Sequence, residues 1–489
     1  MANYDFDIGV LGGGAAGLTI ASGTAQLGAR TLLIDKEEKL GGDCLHYGCV
    51  PSNTLIKTAR VFHLVKNARV FGLPDIDIKP VDFKAVATRI ESVISAIQKH
   101  DSEERFCGLG VKVEFGSARF IDEHSIGIKG KTYSAKSWVI ATGSSPSIPQ
   151  IEELDRTPYI TNREIFSLDC LPDSMIFIGG GPIASEMAQA FSRLGSKVTI
   201  IQRGGQILGR EDKDMADAVM DVMTSEGVTF HLNSSIVKVN DLGTVKEVVI
   251  RKAAETVSLK ADTLVVAAGR KANTGGMGLE GIGVEFDTKG IKVDNRMRTN
   301  HAHIYAAGDV TGMYQFTHAA GYEGGIVVSN AIFHLPRKTD YRFFPWCTYT
   351  DPELASIGMN ESRAKEAGIA YTVWKEEFAM NDRGLAEGES LGRIKLLLDE
   401  KEKPIGVQIL GLHAGELLGE WVAALNGGVR LSTLAGAVHP YPTLGEINRK
   451  VVGTFFSGKI FSDKVKKTLK YLFNFKGRAC QWSEKTQQD

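Results

Sequence analysis

The feature that most constrains the fold of this chain is a glycine-rich segment that occurs twice. "FDIGVLGGGAAGLTIASGTAQLGARTLLID" (residues 6–35) and "SMIFIGGGPIASEMAQAFSRLGSKVTIIQR" (residues 174–203) each place a glycine turn and a run of small residues between two apolar stretches. The turn residues at equivalent positions are Gly12, Gly14 and Gly17 in the first copy, and Gly179, Gly181 and Ala184 in the second. In both copies the second stretch ends 23 residues after the first glycine, at Asp35 and at Gln202.

This pattern is typical of a strand, a glycine turn and a helix that bind a dinucleotide. The glycines let the backbone approach a pyrophosphate, which lies at the helix N-terminus beside unpaired N–H groups. One such fingerprint is a weak indicator, but two copies at matched spacing predict two dinucleotide-binding units.

The two copies differ at the residue that would meet the adenosine ribose. Asp35 can accept hydrogen bonds from a ribose 2′-hydroxyl, which suits an adenosine without a 2′-phosphate. Gln202 is uncharged and is followed by Arg203 and, further on, by Arg210. Guanidinium groups bind a 2′-phosphate that a carboxylate would repel, so the second unit is predicted to prefer NADPH over NADH.

Three further apolar stretches end in glycine turns and indicate how the two units are arranged. They are "SWVIATGSSP", "TLVVAAGRKAN" with Gly269, and "IYAAGDVTG", where Asp309 could hold a sugar or ribityl hydroxyl. Their order predicts an α/β protein in which one nucleotide domain interrupts another. Residues 1–150 and 272–345 would form the first domain, with residues 151–271 inserted between them.

Composition excludes several classes of function. A chain of 489 residues with 43% hydrophobic residues can form several domain cores. Its 57 basic and 58 acidic residues nearly cancel, so the chain has no overall positive potential that would attract nucleic acid. We find neither a secretion-type N-terminal segment nor a run of about eighteen apolar residues, so we expect a cytoplasmic protein.

The stretch "GGDCLHYGCVPSN" (residues 41–53) brings two of the six cysteines close together. In an ideal helix, residues five apart have Cα atoms roughly 8–9 Å apart, whereas a disulfide needs roughly 4.4–6.8 Å. Cys44 and Cys49 could therefore pair only across a distorted turn, which Gly42 and its glycine neighbours would permit. No second Cys/His pair stands at zinc-finger spacing, so we predict no metal site and favour a redox pair over structural or metal-binding roles.

These motifs together resemble the pyridine nucleotide–disulfide oxidoreductases, the flavoproteins that include glutathione reductase, dihydrolipoamide dehydrogenase and mercuric reductase. The resemblance covers nearly the whole chain, including "YTDPELASIG" and "HPYPTLGE" near its C-terminus. It implies two Rossmann-like domains, an FAD domain interrupted by an NAD(P) domain, and a C-terminal α+β dimerisation domain over residues 346–489. The FAD positions that the resemblance implies in this sequence are Gly12, Gly14, Gly17, Asp35, Gly116, Thr142, Gly143 and Asp309, and the nicotinamide-side positions are Gly179, Gly181 and Glu186. Glu186 is also a catalytic candidate, with Cys44, Cys49, Tyr441 and Glu446. The motifs themselves add further candidates for cofactor binding, namely Gly42, Asn53, Ala184, Arg203, Arg210 and Gly269.

The resemblance also implies a reaction. Cys49 would be the thiol beside the flavin, and Cys44 the thiol that meets the substrate. Electrons from NADPH would open the disulfide, and the dithiol would reduce a disulfide or a metal ion. The protein would act as a homodimer.

Two departures from the family pattern bear on the acceptor. Relatives that reduce small disulfides carry His before Pro-Thr, with Glu five residues after it, whereas Tyr441 stands here with Glu446 retained. A phenol is a poor general base at neutral pH, so the sequence leans towards mercuric reductase, although only Cys480 stands where those enzymes carry a C-terminal cysteine pair. Asn53 replaces a lysine expected beside the flavin. His439, two residues before Tyr441, is the other candidate for proton transfer.

The C-terminal stretch "KIFSDKVKKTLKYLFNFKGR" predicts a basic amphipathic helix. We expect it to pack against the dimer partner, with contact to an anionic membrane as the alternative. The predicted activity is an NADPH-dependent FAD oxidoreductase that reduces a disulfide or metal ion. The alternatives are a quinone reductase at the membrane surface, a dihydrolipoamide dehydrogenase-type enzyme and a non-catalytic redox-sensing flavoprotein.

Overall fold

The computed structural model describes residues 3–477 and residue 479, and these divide into two compact units. In chain order, the strands and α-helices of the first unit, which ends at Tyr341, are β1 (Phe6–Leu11), α1 (Ala15–Gln26), β2 (Thr31–Asp35), α2 (Gly42–His46), α3 (Cys49–Lys66), α4 (Phe83–Gln98), α5 (Glu103–Gly108), β3 (Val111–Phe115), β4 (Arg119–Phe120), β5 (Ser125–Ile128), β6 (Lys131–Ile140), β7 (Ser144–Pro146), β8 (Ser174–Ile178), α6 (Pro182–Leu194), β9 (Lys197–Ile201), α7 (Lys213–Ser225), β10 (Thr229–His231), β11 (Ser234–Asp241), β12 (Lys246–Lys252), β13 (Glu255–Ala261), β14 (Thr263–Val266), β15 (Arg270–Ala272), β16 (Ile304–Ala306) and α8 (Thr317–Ile332). Those of the second unit, from Arg342 onward, are β17 (Pro345–Thr348), β18 (Glu353–Gly358), α9 (Glu361–Glu366), β19 (Tyr371–Glu377), α10 (Asp382–Ala386), β20 (Arg393–Asp399), β21 (Pro404–Gly411), α11 (Ala414–Asn426), α12 (Leu431–Gly436), α13 (Glu446–Ile460) and α14 (Asp463–Phe473).

The first unit contains two sheets whose parallel strands follow the same order, and antiparallel strands β5 and β4 extend the first sheet beyond β6. One runs β3-β2-β1-β6, with β16 also paired to β6, and the other runs β10-β9-β8-β14. Since β8, β9 and β14 all lie in the chain between β6 and β16, the second sheet is inserted within the first. The predicted α/β fold, with one dinucleotide-binding domain interrupting the other, is confirmed.

The core of the first sheet follows the alternation of side chains along its strands. Ile8 and Val10 of β1 pack on one face with residues of α1, while Trp138 of β6 is fully buried on the other. A Cβ at Gly9, the strand neighbour of Trp138, would lie 2.1 Å from the indole ring. A glycine at this position therefore makes room for the largest side chain of the core.

The second unit is built on a five-stranded antiparallel sheet in the order β17-β18-β21-β20-β19. Helices α11 and α13 pack on it and bury Trp421, whose indole N–H donates to Oδ1 of Asn448 at 2.8 Å. Among the described residues of the whole chain, no helix has both the length and the apolar character needed to span a bilayer.

Candidate active site

The loop between β1 and α1 has a shape that only glycine fits. Gly12 has a φ of 109°, and a Cβ there would lie 2.2 Å from the carbonyl oxygen of Ala141. A Cβ at Gly17 would lie 1.8 Å from the carbonyl oxygen of Gly12. Gly14 is the N-cap of α1 and provides no side-chain cap. Because the first turn of α1 has no side-chain cap, its N–H groups fit the pyrophosphate of FAD.

The loop between β8 and α6 repeats this construction. Gly179 has a φ of 112°, and a Cβ there would lie 2.4 Å from the carbonyl oxygen of Ala267. Gly181 is the N-cap of α6, again without a side-chain cap, and Ala184 is fully buried in the first turn. This second cradle fits the pyrophosphate of a nicotinamide dinucleotide.

Asp35 and Gln202 occupy equivalent positions but offer different chemistry. The N–H of Gly13 donates to Oδ2 of Asp35 at 2.5 Å, and the N–H of Gly180 donates to Oε1 of Gln202 at 3.2 Å. Asp35 also accepts the N–H of Glu37, and burial raises the pKa of its carboxyl. A carboxylate keeps further lone pairs for a ribose hydroxyl, whereas Gln202 brings no charge to its site.

Two arginines follow Gln202 in the sequence. The side chains of Arg203, directly after it, and of Arg210, in the loop before α7, are both exposed. Two guanidinium groups at this position fit the prediction of a site that accepts a phosphate.

The loop after β6 is held by Asn273 at the end of β15. The Thr142 hydroxyl donates to the Asn273 carbonyl at 2.8 Å, and the Asn273 side-chain amide donates to the Thr142 carbonyl at 2.9 Å. The Asn273 N–H donates to the carbonyl of Gly143, which has a φ of 69°. Gly269 accepts the N–H of Ser147 at 2.9 Å. Both predicted glycines thus shape the chain where the two sheets connect.

Gly116 lies at the end of β3, next to the predicted ribose carboxylate. Its φ is 142°, and its N–H donates to the carbonyl oxygen of Asp35 at 2.7 Å. The structure therefore brings Gly116 to the same edge of the sheet as Asp35 and Gly12.

Arg270 joins Asp309 to the helix that carries Cys44. The Arg270 guanidinium lies 2.9 Å from Oδ2 of Asp43 and 3.7 Å from Oδ2 of Asp309. It also donates to Oγ of Ser144 at 2.7 Å, and this hydroxyl in turn donates to Asp309 at 2.5 Å. Burial raises the pKa of Asp309, although Ser144 and Arg270 both favour its charged form. Sequence reasoning identified Asp309 but missed Arg270, Ser144 and Asp43.

The turn before Asp309 depends on a buried carboxylate that the sequence analysis also missed. Glu323 of α8 accepts the N–H of Gly308 and the hydroxyl of Tyr341, each at 2.6 Å. Burial is the main cause that raises the pKa of Glu323 to about 7.

The cysteine pair spans a broken helix. Cys44 lies in α2 and Cys49 is the first residue of α3, with Tyr47 and Gly48 between the two helices. A Cβ at Gly42 would lie 2.7 Å from Cα of Gly14, so the start of α2 lies directly against the first glycine loop. This is the distorted turn that the spacing of the two cysteines requires.

The two thiols share a hydrogen bond that separates their acidities. The hydrogen bond from Cys44 lowers the pKa of Cys49 to about 6, while the same contact raises the pKa of Cys44. The hydroxyl of Thr317, at the start of α8, lies 3.5 Å from Sγ of Cys49 and also favours its thiolate. Cys49 is exposed and Cys44 is half-buried, so the site can present a reactive thiolate.

Asn53 and Glu186 lie on helices that pack together, α3 and α6. The side-chain amide of Asn53 donates to the carbonyl of Cys49, one turn earlier, at 2.9 Å. Asn53 thus acts locally on the first turn of α3 and supplies none of the positive charge that a lysine would bring beside the flavin.

The second unit holds the other predicted catalytic residues. The Tyr441 hydroxyl donates to Oδ2 of Asp382 at 2.7 Å, and this contact is the main cause that raises the Tyr441 pKa. Tyr441 is 70% exposed, whereas Glu446 is buried at the start of α13. His439 lies 3.1 Å from Oε1 of Glu420 through its Nε2. Cys480 lies outside the described residues.

Comparison with known proteins identifies the family. Residues 6–324 match the model of the pyridine nucleotide-disulphide oxidoreductases, and residues 344–451 match the dimerisation domain of the same family. The chain belongs to this family of disulfide oxidoreductases. It is therefore an oxidoreductase of the flavoprotein class that binds FAD and NAD(P), and its dimerisation domain supports a homodimer.

The similar proteins include mercuric reductases and dihydrolipoyl dehydrogenases. A mercuric reductase from Lysinibacillus sphaericus is 32% identical over 90% of this chain and 81% of its own length. A dihydrolipoyl dehydrogenase from Bacillus subtilis is 34% identical over 90% of this chain and 96% of its own length. Among solved structures, the Cu(II) complex of the HOCl-induced flavoprotein disulfide reductase RclA from Escherichia coli is similar. It aligns with a TM-score of 0.82 and 26% identity, over 93% of this chain and 100% of that one.

The Thr317 hydroxyl gives a first testable prediction. Thr317→Val should raise the pKa of Cys49 by roughly one to two units, because a hydrogen bond to a charged group contributes about 1.5–3 kcal/mol. The measurement is the pH dependence of iodoacetamide alkylation at Cys49 in the reduced protein, read by mass spectrometry. Thr317→Ser retains the hydroxyl and should keep the midpoint near that of the parent. Equal midpoints for all three proteins would contradict the assignment.

Proposed function

We propose that this protein is an NADPH-dependent flavoprotein reductase that uses Cys44 and Cys49 as its redox couple. The observation that carries the proposal is the thiol pair itself, a low-pKa Cys49 hydrogen-bonded to Cys44 and to Thr317. Helix α2, which carries Cys44, starts against the first glycine loop, where Gly42 lies close to Gly14. The predicted domain bounds and the cytoplasmic location belong to the same proposal.

The chemistry at the pair is a two-electron exchange. Bound FAD supplies the path for two electrons from the nicotinamide to the disulfide, which opens to give a thiol and a thiolate. The hydrogen bonds from Cys44 and Thr317 hold the negative charge on Cys49 and leave a proton on Cys44. The dithiol then gives two electrons to one Hg(II), to one disulfide or to two Cu(II) ions, the proton on Cys44 is released, and the Cys44–Cys49 disulfide forms again.

A soft metal ion is the favoured acceptor. Thiolates bind soft metal ions well, and their reduction needs no proton delivered to a leaving thiolate. Tyr441 does not replace the missing histidine, since its hydrogen bond to Asp382 makes the phenol a still weaker acid and keeps it protonated. The named relatives that are mercuric reductases support this choice.

Disulfide reduction is the second candidate, favoured by one specific contact. Nε2 of His439 lies 3.1 Å from Glu420, a carboxylate that can orient the imidazole, and Asn448 holds Glu420 at 2.8 Å. A histidine oriented by a carboxylate is the usual arrangement for proton transfer in thiol exchange.

The test of the proposal is a panel of acceptors under NADPH, comprising Hg(II), Cu(II), lipoamide, glutathione disulfide and a quinone. We expect the parent to reduce a metal ion faster than either disulfide, and Cys44→Ser to lose metal and disulfide reduction together. Cys107→Ser, at an exposed cysteine outside the site, is the matched control and should retain the parent rates. Quinone reduction that is fast in the parent and survives in Cys44→Ser would favour the quinone reductase instead. No turnover with any acceptor would favour the redox-sensing alternative.

Tyr441→His tests the choice between the two acceptor classes. General bases contribute roughly 10²–10⁴-fold, so a new imidazole should raise lipoamide and glutathione disulfide reduction within that range. Asp382, which now accepts the phenol, could orient it. Tyr441→Phe keeps the ring without a base and should stay slow with both disulfides. Fast disulfide reduction by the parent, lost in His439→Gln, would instead assign the base to His439.

The preference for NADPH is proposed from Gln202 and the exposed arginines. Arg203→Ala should lower kcat/KM for NADPH by roughly ten- to a hundredfold, the value of a charge-assisted hydrogen bond to phosphate. The value for NADH should change little. Arg251→Ala removes an exposed arginine of β12 and serves as the control.

Gln202→Glu should act in the opposite sense. The new carboxylate would repel a 2′-phosphate and accept from the ribose hydroxyls, shifting the preference towards NADH. Equal efficiencies with NADPH and NADH in the parent enzyme would overturn the proposal.

A further inference from the structure

Helix α14 presents an apolar face that the described part of the chain does not cover. None of its residues, from Asp463 to Phe473, is buried. Phe461, just before the helix, and Leu472 and Phe473 within it are 64%, 64% and 63% exposed. Within the helix, Val465, Leu469, Leu472 and Phe473 recur at intervals of three and four residues, so these four lie on one side of α14.

The rest of the helix surface is strongly basic. The lysines of α14 are Lys464, Lys466, Lys467 and Lys470, all with exposed side chains. Set against the single acidic residue of the helix, Asp463, they give α14 a net charge of +3, while the whole chain has a net charge of −1. Positive charge is thus concentrated on this helix.

Two observations argue against a second copy of the chain as the partner of the apolar face. The match to the family's dimerisation domain ends at residue 451, so α14 lies wholly outside the segment shared with that domain. Two copies of α14 brought face to face would also place eight lysines in one interface, where like charges repel. An anionic lipid surface offers negative charge for the lysines and, directly below its headgroups, an apolar layer for the apolar face.

We propose that α14 docks on the surface of an anionic lipid bilayer, its axis in the plane of the interface. Phe461, Leu472 and Phe473 would enter the boundary between headgroups and acyl chains, and the lysines would lie among the lipid phosphates. The sequence alone favoured packing on the dimer partner. We now favour the membrane, because α14 lies beyond residue 451 and because it carries a net positive charge.

The experiment is co-sedimentation of the full-length holoprotein with vesicles of phosphatidylglycerol and phosphatidylcholine, compared with vesicles of phosphatidylcholine alone. The parent should bind only the anionic vesicles, and salt should weaken the binding. Each lysine near an anionic surface contributes roughly fivefold to the affinity. Changing all four lysines of α14 to glutamine should therefore weaken binding on the order of several hundredfold.

A matched variant separates the position of the charge from its amount. Lysine to glutamine changes at Lys66, Lys84, Lys260 and Lys365 remove the same charge from exposed sites elsewhere and should reduce binding far less. Leu472→Ser with Phe473→Ser should abolish binding and leave the protein dimeric by light scattering. Flavin content and circular dichroism report whether each variant is folded.

Two results would overturn the proposal. One is a parent that does not bind anionic vesicles, or an equal loss of binding in the two lysine variants. The other is a Leu472→Ser, Phe473→Ser variant that is folded but monomeric, which would assign the apolar face to a second copy of the chain.

Discussion

The candidate site depends on one half-buried cation, the guanidinium of Arg270, whose side chain is 14% exposed. It lies between Asp43, which precedes Cys44 directly, and Asp309, and it fixes the hydroxyl of Ser144 between them. Removing one partner from a fully buried ion pair costs about 3–5 kcal/mol, because the remaining charge is left uncompensated. The cost is smaller here, because Asp43 and Asp309 are 26% and 22% exposed. Arg270 faces two carboxylates, so its loss would leave both negative charges beside the cysteine pair. The position of the cysteines, the end of β7 and the predicted ribityl carboxylate are therefore set by one side chain.

Arg270 also lies where the chain leaves the inserted sheet, and this links cofactor binding to the redox helix. Its own strand, β15, pairs with β7, so both connections between the two parallel sheets lie beside the guanidinium. Asn162, in the other connection, donates to the carbonyl of Tyr47 at 2.9 Å, between the two cysteine helices. Both connecting segments thus contact the region of α2. A shift of the inserted sheet would therefore change the position of the two thiols.

The sequence predicts the parts of this site that are local and leaves out those that are distant. The glycine loops follow from spacing within about thirty residues, since strand, turn and helix are dictated by neighbouring residues. The broken helix at Gly48 follows from the geometry of a disulfide. Arg270 and Thr317 were missed because their partners, Asp43 and Cys49, lie far away in the sequence, 268 positions for the second pair. An arginine after a glycine turn and a threonine at a helix start are common, and only the folded chain shows which anion each one meets.

The choice of electron acceptor also depends on residues that are distant from the cysteine pair in the sequence. The groups around the cysteine pair favour a thiolate on Cys49, because the hydrogen bond from Cys44, and after it the Thr317 hydroxyl, lower the pKa of Cys49 against the opposing effect of burial. A thiolate of this kind can react with a metal ion or with a disulfide, so the pair alone does not select between them. Selection would then rest on whether a proton can be delivered to a leaving thiolate. In the second unit, the Tyr441 hydroxyl donates to Asp382 and offers no ready base, whereas His439, 3.1 Å from Glu420, keeps a carboxylate that can orient it. The proton-transfer groups, and not the thiol pair, are therefore where metal-ion reduction and disulfide reduction would differ.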